Sequence, residues 1–187
     1  MRVRALEWGD FQSWVDLYYT RYAEIDRNPE LGVFLMPAKP SLGEEATFFG
    51  QAHREMAEGH VVTAVAEEGG AIVGVCFVRR KGRHVEDRHL GALGLVVHPE
   101  HRRQGIGGAL LDYALRASVG KFEIVQLAVV DVNERAMRLY RRFGFEEYGR
   151  APRAFKRGER YFDEVLMSIR LDQGPRASQA PPRRGPK

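Results

Sequence analysis

The chain has 187 residues, 44% of them hydrophobic and 29% charged, and a formal net charge of +4 at pH 7. That length is typical of one domain and allows a substantial buried core without disulfides. The single cysteine, Cys76, excludes an internal disulfide and a cysteine-rich metal site. The six histidines show no metal-ligand spacing such as His-Glu-x-x-His. Without a signal peptide or an apolar run of about eighteen residues, we expect a cytoplasmic protein.

The net positive charge is concentrated at the end of the chain. Four of the 29 Lys and Arg residues lie in 174–187, which has no Asp or Glu, so 25 basic residues remain against 25 acidic ones elsewhere. We expect residues 1–172 to form one domain and residues 173–187 to be a disordered, basic, Pro-rich tail. A role in nucleic-acid binding would rest on this tail alone, because the rest of the chain is neutral.

The hydrophobic pattern predicts a chain that mixes strands and helices. In chain order the predicted elements are a strand near 2–7, helices near 9–25 and 43–58 separated by a loop rich in Pro and Gly, strands near 61–67, 71–80 and 90–97, a helix from Ile106 to about 117, a strand at 125–130, a helix from about 133, and two further strands ending near 171. Between the strands near 61–67 and 71–80, the sequence Glu-Glu-Gly-Gly predicts a tight hairpin turn.

The corner between the strand at 90–97 and the next helix has the composition of an anion site. It reads Val-His-Pro-Glu-His-Arg-Arg-Gln-Gly-Ile-Gly over residues 97–107. The first N–H groups of a helix have no intrahelical partner, and the helix dipole favours an anion there. Gly105, Gly107 and Gly108 remove side chains that would hold a phosphate away, and Arg102 and Arg103 add positive charge. We therefore predict a site for a nucleotide-like ligand.

Two common phosphate loops do not fit this corner. The dinucleotide-binding pattern needs Gly or Ala five residues after its first glycine, where this chain has Leu110, and no Gly-Lys-Ser/Thr of a Walker loop occurs. Residues 102–107, Arg-Arg-Gln-Gly-Ile-Gly, instead resemble the acetyl-CoA pyrophosphate loop of the GNAT superfamily of N-acetyltransferases.

A second block supports the same resemblance. Residues 133–145 contain the pattern Asn-x-x-Ala-x-x-Leu-Tyr-x-x-x-Gly-Phe, which is similar to the second GNAT signature and follows an apolar strand as it does there. The two blocks, with the final strand that ends at Leu171, extend the resemblance over residues 2 to about 171.

The resemblance implies a fold and an activity. The fold is α+β, with a mixed and mostly antiparallel sheet of about seven strands that is splayed in the middle and flanked by about four helices. The implied activity is transfer of an acetyl group from acetyl-CoA to a primary amine by direct attack through a tetrahedral intermediate. The implied partners are therefore acetyl-CoA and an amine, either a small molecule or a peptide, and family members are often homodimers.

The resemblance also assigns roles to residues. The implied cofactor contacts are Leu95, Val96, Val97, Arg102, Arg103, Gln104, Gly105, Ile106, Gly107, Gly108, Ala109 and, for the pantetheine arm, Asn133. Tyr140 is the implied acid for the departing sulfur. From the pattern alone, Tyr140 is equally a core residue of its helix, Asn133 a helix N-cap, and Arg102 with Arg103 a solvated pair.

The sequence does not identify the general base. An alkyl amine has a pKa of roughly 10 and must lose a proton before attack. The strand at 90–97, where family members often carry a carboxylate, has none. The candidates are Glu86, Asp87, His89, His98, Tyr161, Asp163, Glu164 and a water chain. The missing carboxylate also supports an alternative function, a non-catalytic acyl-CoA-binding sensor.

The acceptor amine is equally open. By the resemblance, a segment near residues 24–45 borders the acceptor cleft and would favour a cationic amine through carboxylates and aromatic faces. Its candidate residues are Tyr22, Glu24, Asp26, Glu30, Phe34, Glu44, Glu45, Phe48 and Phe49. Peptide α-amines, lysine side chains, polyamines, amino acids and aminoglycosides all remain candidates.

Overall fold

The computed structural model describes residues 1–27, 38–82 and 84–171. The predicted tail, most of the loop after the first helix, and the candidates Glu30 and Phe34 lie outside these ranges. The strands are β1 (Arg2–Arg4), β2 (Val61–Glu68), β3 (Ala71–Arg80), β4 (Leu90–Val97), β5 (Ile124–Val130), β6 (Glu146–Arg157) and β7 (Arg160–Arg170). The helices are α1 (Phe11–Arg27), α2 (Leu42–Ala57), α3 (Ile106–Ser118) and α4 (Glu134–Arg142).

The seven strands form one sheet in the order β1-β2-β3-β4-β5-β7-β6. Every neighbouring pair is antiparallel except β4 and β5 at the centre, which are parallel. The parallel pair requires a crossover connection, and α3 supplies it. The predicted mixed, mostly antiparallel sheet with flanking helices is confirmed.

Helices cover the two faces of the sheet separately. One apolar cluster joins α3 and α4 to the sheet and includes Leu110, Met137 and Cys76. A smaller cluster joins α1 and α2 to the other face through Leu17, Phe49 and Val75. Because successive side chains of a strand point to opposite faces, the adjacent residues Val75 and Cys76 of β3 belong to different clusters. β2 and β3 are consequently buried on both faces over most of their length.

Local sequence explains the turns that connect these elements. The β2–β3 hairpin turns through Gly69 and Gly70, whose φ angles of 60° and 83° are left-handed, as a tight two-residue turn requires. At the start of α2, Ser41 and Glu44 form a reciprocal capping box. The predicted hairpin and this helix are both confirmed.

The first strand is shorter than predicted. β1 ends at Arg4 rather than near residue 7, and residues Trp8–Asp10 form a short 3-10 turn before α1. Asp10 accounts for the early ending, because its carboxylate accepts a hydrogen bond from the Glu7 backbone N–H at 2.8 Å and pairs with the Arg4 guanidinium at 2.7 Å. Among the helices in the described ranges, none has the length and apolar content that a membrane span requires.

Candidate functional site

The central parallel strands separate at the predicted site. β4 and β5 are in register for only three residue pairs, from Leu90↔Ile124 to Ala92↔Gln126, although both strands continue further. On its other edge, β4 remains paired with β3 as far as Val97. Past Ala92 the two strands diverge, and a cleft of about 1300 Å³ opens between them. The splayed sheet that the resemblance implied is therefore present.

One edge of this cleft is an unpaired strand edge. The His98 N–H donates to the Val73 carbonyl at 2.8 Å, on the β3 side. Backbone N–H and C=O groups alternate sides along a strand, so those of Leu95 and Val97 face the cleft while those of Val96 face β3. An extended amide-bearing ligand could add to this edge as a strand does.

The N-terminus of α3 lies at the mouth of the cleft with its donors free. The first bonds of the helix are from the Gly108 and Ala109 N–H groups to the Gly105 carbonyl, at 3.0 and 3.1 Å. The N–H groups of residues 103–107 donate to no group in the part of the chain that the structure describes. Five successive donors at a helix N-terminus form an anion-binding concavity.

The backbone of this corner requires its glycine at position 105. Gly105 precedes the helix with a φ of 83°, and Arg103 has a φ of 67°, so left-handed residues curve the chain around the free donors. At Gly107 an added Cβ would lie 3.3 Å from Leu139 Cδ2, and larger side chains would meet α4 or the cleft. The prediction that small residues leave this backbone accessible agrees with the geometry.

Three arginines at the cleft mouth come from two segments of the chain, the loop before α3 and the start of α4. Arg102 pairs through both terminal nitrogens with Glu24 of α1, and its Nε donates to the Val97 carbonyl at 3.0 Å. Arg103 and Arg135 also line the cleft. Burial and the positive charges of Arg102 and Arg103 lower the pKa of Arg135. The mouth therefore carries excess positive charge beside the free N–H groups. Arg135 was not among the cofactor contacts predicted from the sequence.

Tyr140 is a core residue that also lines the cleft, so its position is compatible with both interpretations. It is 7% exposed, belongs to the larger apolar cluster, and its ring packs against Phe145 at a centroid distance of 5.7 Å. It also lines the cleft. Burial raises the pKa of its hydroxyl, so this group stays protonated at neutral pH and can donate a hydrogen bond.

Asn133 is the N-cap of α4. Its Oδ1 accepts from the Ala136 N–H at 3.2 Å, so the alternative interpretation of a cap is confirmed. The side chain also lines the cleft, and its amide nitrogen has no partner among the described groups. Capping uses one end of the amide and leaves the other available to a ligand.

The far side of the cleft is a separate surface, formed on the sheet face that α1 and α2 cover elsewhere. Strand alternation places Phe77 of β3, Gln126 of β5 and Leu166 of β7 on this face. Lys81, Tyr148 and Glu164 complete its lining, and the Lys81 ammonium donates to the Gln126 side chain. The cleft thus reaches both faces of the sheet through the gap between β4 and β5.

Of the seven candidate bases, Glu164 alone lines the cleft in the described structure. Glu86 and Asp87 lie in a short turn before β4, and His98 caps the turn at residues 99–101. Asp163 accepts from the Arg153 backbone N–H at 2.9 Å. The remaining candidates, His89 and Tyr161, also lie outside the lining.

The predicted acceptor residues near 24–45 do not line the cleft where they are described. Glu24 pairs with Arg102, and Glu44 caps α2. Glu45 is buried, and burial raises the pKa of its carboxyl, although a hydrogen bond from Trp14 acts in the opposite direction. Tyr22 donates to the Ala38 carbonyl, Phe49 is a core residue, and Phe48 is exposed on α2. These side chains stabilise the helices and their contacts, whereas Asp26, Glu30 and Phe34 lie outside the described side chains, so for them the expectation stays a prediction.

Comparisons with known proteins agree with the fold and the two signature blocks. Residues 58–147 match the family model described as an acetyltransferase (GNAT) domain. A mycothiol acetyltransferase from Acidimicrobium ferrooxidans is 36% identical over 89 residues, which are 43% of this chain and 26% of that protein. The chain therefore corresponds to about a quarter of that relative's length.

Solved structures resemble nearly the whole chain. A ribosomal-protein-alanine N-acetyltransferase from Brucella melitensis has a TM-score of 0.77 at 22% identity, covering 91% of this chain and 100% of that one. YncA, a putative acetyltransferase from Salmonella typhimurium solved with acetyl-CoA, has a TM-score of 0.78 at 18% identity, covering 92% and 94%. The chain has the fold of these acetyltransferases. Its residues 58–147, which contain both signature blocks, are similar to the GNAT acetyltransferase domain.

Proposed function

We propose that this protein is an acetyl-CoA-dependent N-acetyltransferase that acetylates a primary amine. The observation that carries the proposal is the row of five free N–H groups at residues 103–107, beside a strand edge left open by the divergence of β4 and β5. A diphosphate fits the first feature and an extended amide chain fits the second. Acetyl-CoA joins both chemical groups in one molecule.

The residues present fit this cofactor. The excess positive charge of Arg103 and Arg135 complements phosphate charge, whereas Arg102 holds α1 against the loop through Glu24. The backbone groups of Leu95 and the N–H of Val97 face the cleft and are available to the pantetheine arm, and the Asn133 amide nitrogen offers a further donor. When bound, acetyl-CoA would supply an activated acetyl thioester.

The remaining roles concern proton transfer and alignment. The Tyr140 hydroxyl, held protonated by burial, donates its proton toward the departing sulfur. The cleft holds the two reactants on opposite sides of the same gap, and such alignment supplies much of the rate of a reaction whose acyl group is already activated.

We further propose the organisation that the sequence suggested. Residues 1–172 form the transferase domain, residues 173–187 are a solubilising tail, and the protein is cytoplasmic. The single sheet that extends from Arg2 to Arg170 supports the first of these points. The sensor alternative is supported by the absence of a carboxylate from β4. That support is lost if a carboxylate outside β4 serves as the base, and Glu164 is available in the cleft.

The direct test is to screen amines for release of the free CoA thiol. The panel would contain spermine, a peptide with a free amino-terminal alanine, a peptide with an internal lysine, and an aminoglycoside. We expect at least one amine to raise thiol release well above the rate without amine. Tight acetyl-CoA binding without release for any amine would favour the sensor and contradict the proposed activity.

A further inference from the structure

One carboxylate in the cleft has no use in the contacts described so far. β7 alternates its side chains, so Val165 and Met167 are fully buried on one face while Glu164 and Leu166 line the cleft on the other. Within the described ranges, Glu164 is the single acidic side chain of the cleft lining. Its position follows from the sheet register and does not depend on a mobile loop.

The surroundings of Glu164 leave its carboxylate free. Its neighbours across the strands, Val130 of β5 and Ala151 of β6, are apolar. No ion pair or hydrogen bond within the described structure engages it, whereas the adjacent Asp163 contacts Arg150 at 3.4 Å and the Arg153 N–H. Asp163 is committed to the hairpin, and Glu164 is not.

Besides Arg102, Arg103 and Arg135 at the mouth, the cleft that Glu164 lines carries the titratable side chains of His101, Arg138 and Arg142. Tyr148 of β6 lies nearby, and burial together with the Glu164 charge raises the pKa of its hydroxyl. Arg21 of α1, Lys81 after β3 and Tyr140 of α4 line the same cleft, with Lys81 bonded to Gln126. The Phe77 and Tyr148 rings also line the cleft, and a carboxylate together with aromatic faces attracts an alkylammonium ion.

We infer that Glu164 binds the acceptor amine as its ammonium ion and accepts the proton that the amine must lose before attack. This carboxylate of β7 takes the place of the one that β4 lacks. The inference rests on the proposed function and adds to it a residue and an acceptor class: a primary alkylammonium, as opposed to an aromatic or anionic amine. The carboxylate acts directly or through one water.

The proton balance of the step is complete. The ammonium gives one proton to the Glu164 carboxylate, which passes it to solvent. The amine nitrogen then forms a bond to the acetyl carbon, and the carbon–sulfur bond breaks. The sulfur leaves with the proton of the Tyr140 hydroxyl, and the second proton of the amine nitrogen returns to Tyr140 directly or through solvent.

The test is Glu164→Gln, which preserves shape and removes the base. With the panel amine that the wild type acetylates best, we expect kcat/KM at pH 7 to fall about a hundredfold or more, with the Kd for acetyl-CoA unchanged. The defect should shrink about tenfold for each pH unit toward the amine pKa of roughly 10, because more of the acceptor then arrives neutral.

Glu147→Gln is the matched control. Glu147 is a carboxylate of the neighbouring strand that pairs with Arg150 outside the cleft, so this variant should keep the wild-type rate and pH profile. A Glu164→Gln enzyme with the wild-type rate, or with a defect that is the same at every pH, would overturn the inference and leave the proposed function intact. Weaker acetyl-CoA binding by Glu164→Gln would also overturn it, because the role would then be structural. A wild type inactive toward every amine would overturn both.

Discussion

Tyr140 is a core side chain to which we also assign a chemical role. Its ring is buried with Phe145 and the larger apolar cluster, while the residue also lines the cleft. Burial disfavours the phenolate and therefore raises the pKa of the hydroxyl. A group that keeps its proton at neutral pH is suited to meet a sulfur on which negative charge is developing.

Removing this hydroxyl should separate the two roles. For Tyr140→Phe we expect kcat to fall about a hundredfold or more, because the acid is lost, with little change in the Kd for acetyl-CoA. The ring remains, so the free energy of unfolding should change by less than about 1 kcal/mol. Steady-state thiol release and urea denaturation measure the two effects.

Tyr113→Phe is the corresponding control. Tyr113 is a partly buried tyrosine of α3 that packs against the same apolar cluster but does not line the cleft. Removal of the Tyr113 hydroxyl should leave kcat unchanged. Equal turnover by Tyr140→Phe and the wild type would remove the acid role.

The sequence could identify some site residues and not others. Asn133 and Tyr140 are fixed by a local motif and lie where the motif predicts. Glu164 could not be chosen among seven candidates, because the strand sequence Phe-Asp-Glu-Val-Leu-Met has apolar residues on both faces. Only the register with β5 and β6 shows which face lines the cleft. Arg135 was missed because its proximity to Arg102 and Arg103 joins distant segments.

At the scale of elements, the start of α3 is the part of the structure on which the proposed cofactor binding depends. Its five free donors need a loop in which no side chain intervenes, and Gly107 lies in the middle of the first turn. This element could be predicted from sequence because strand, glycines and amphipathic helix are contiguous. Its first helical residue, Ile106, is the residue that the apolar stripe indicated.

Gly107→Asp should abolish acetyl-CoA binding. The substitution places a carboxylate beside the donors that would receive the diphosphate, and like charge opposes binding there. Gly43→Asp is a matched control on α2, where an added Cβ meets nothing within 4 Å. Isothermal titration should give a normal Kd for the control and no detectable binding for Gly107→Asp. An unaltered titration for Gly107→Asp would contradict the site.

The junction between β1 and α1 makes a prediction about pH. Burial opposes ionisation of Asp10, but hydrogen bonds from Arg4 and the Glu7 N–H outweigh it and hold the pKa below its ordinary value. A lowered pKa stabilises the fold above the unfolded-state value of about 4, and this contribution is lost as pH falls through the native pKa. This ion pair also explains why β1 ended before the predicted residue.

Asp10→Asn should therefore lower the free energy of unfolding by about 2 kcal/mol at pH 7, because it leaves Arg4 without its main partner. The difference from the wild type should shrink as pH falls below about 4, where the carboxylate is protonated in the unfolded state, and vanish below the lower native pKa, where it is protonated in both states. Urea denaturation across this range measures it. Asp16→Asn, at an exposed position of α1, should show neither effect. A pH-independent difference for Asp10→Asn would contradict the assignment.

At the scale of the whole molecule, the cleft depends on where the central pairing stops. β4 and β5 separate past Ala92, although nothing in either apolar strand sequence marks that position. Strand pairing between residues about thirty apart is non-local, so periodicity could predict both strands but not their divergence. The splay was expected from the family resemblance alone.

Charge distribution is also a property of the whole molecule. The chain before residue 174 is neutral in sum, yet the fold gathers Arg102, Arg103 and Arg135 at one mouth of the cleft and places Glu164 on its other side. A positive mouth suits an anionic cofactor, and the Glu164 carboxylate on the far side offers a counter-ion to a cationic acceptor that approaches from the opposite face of the sheet.

A crystal structure with saturating acetyl-CoA tests the central claim most directly. The account predicts diphosphate oxygens within about 3.2 Å of backbone nitrogens among residues 103–107, and the pantetheine arm between β4 and β5 along the edge that carries Leu95 and Val97. A ligand bound elsewhere, or these nitrogens covered by the protein's own side chains in the liganded crystal, would contradict it.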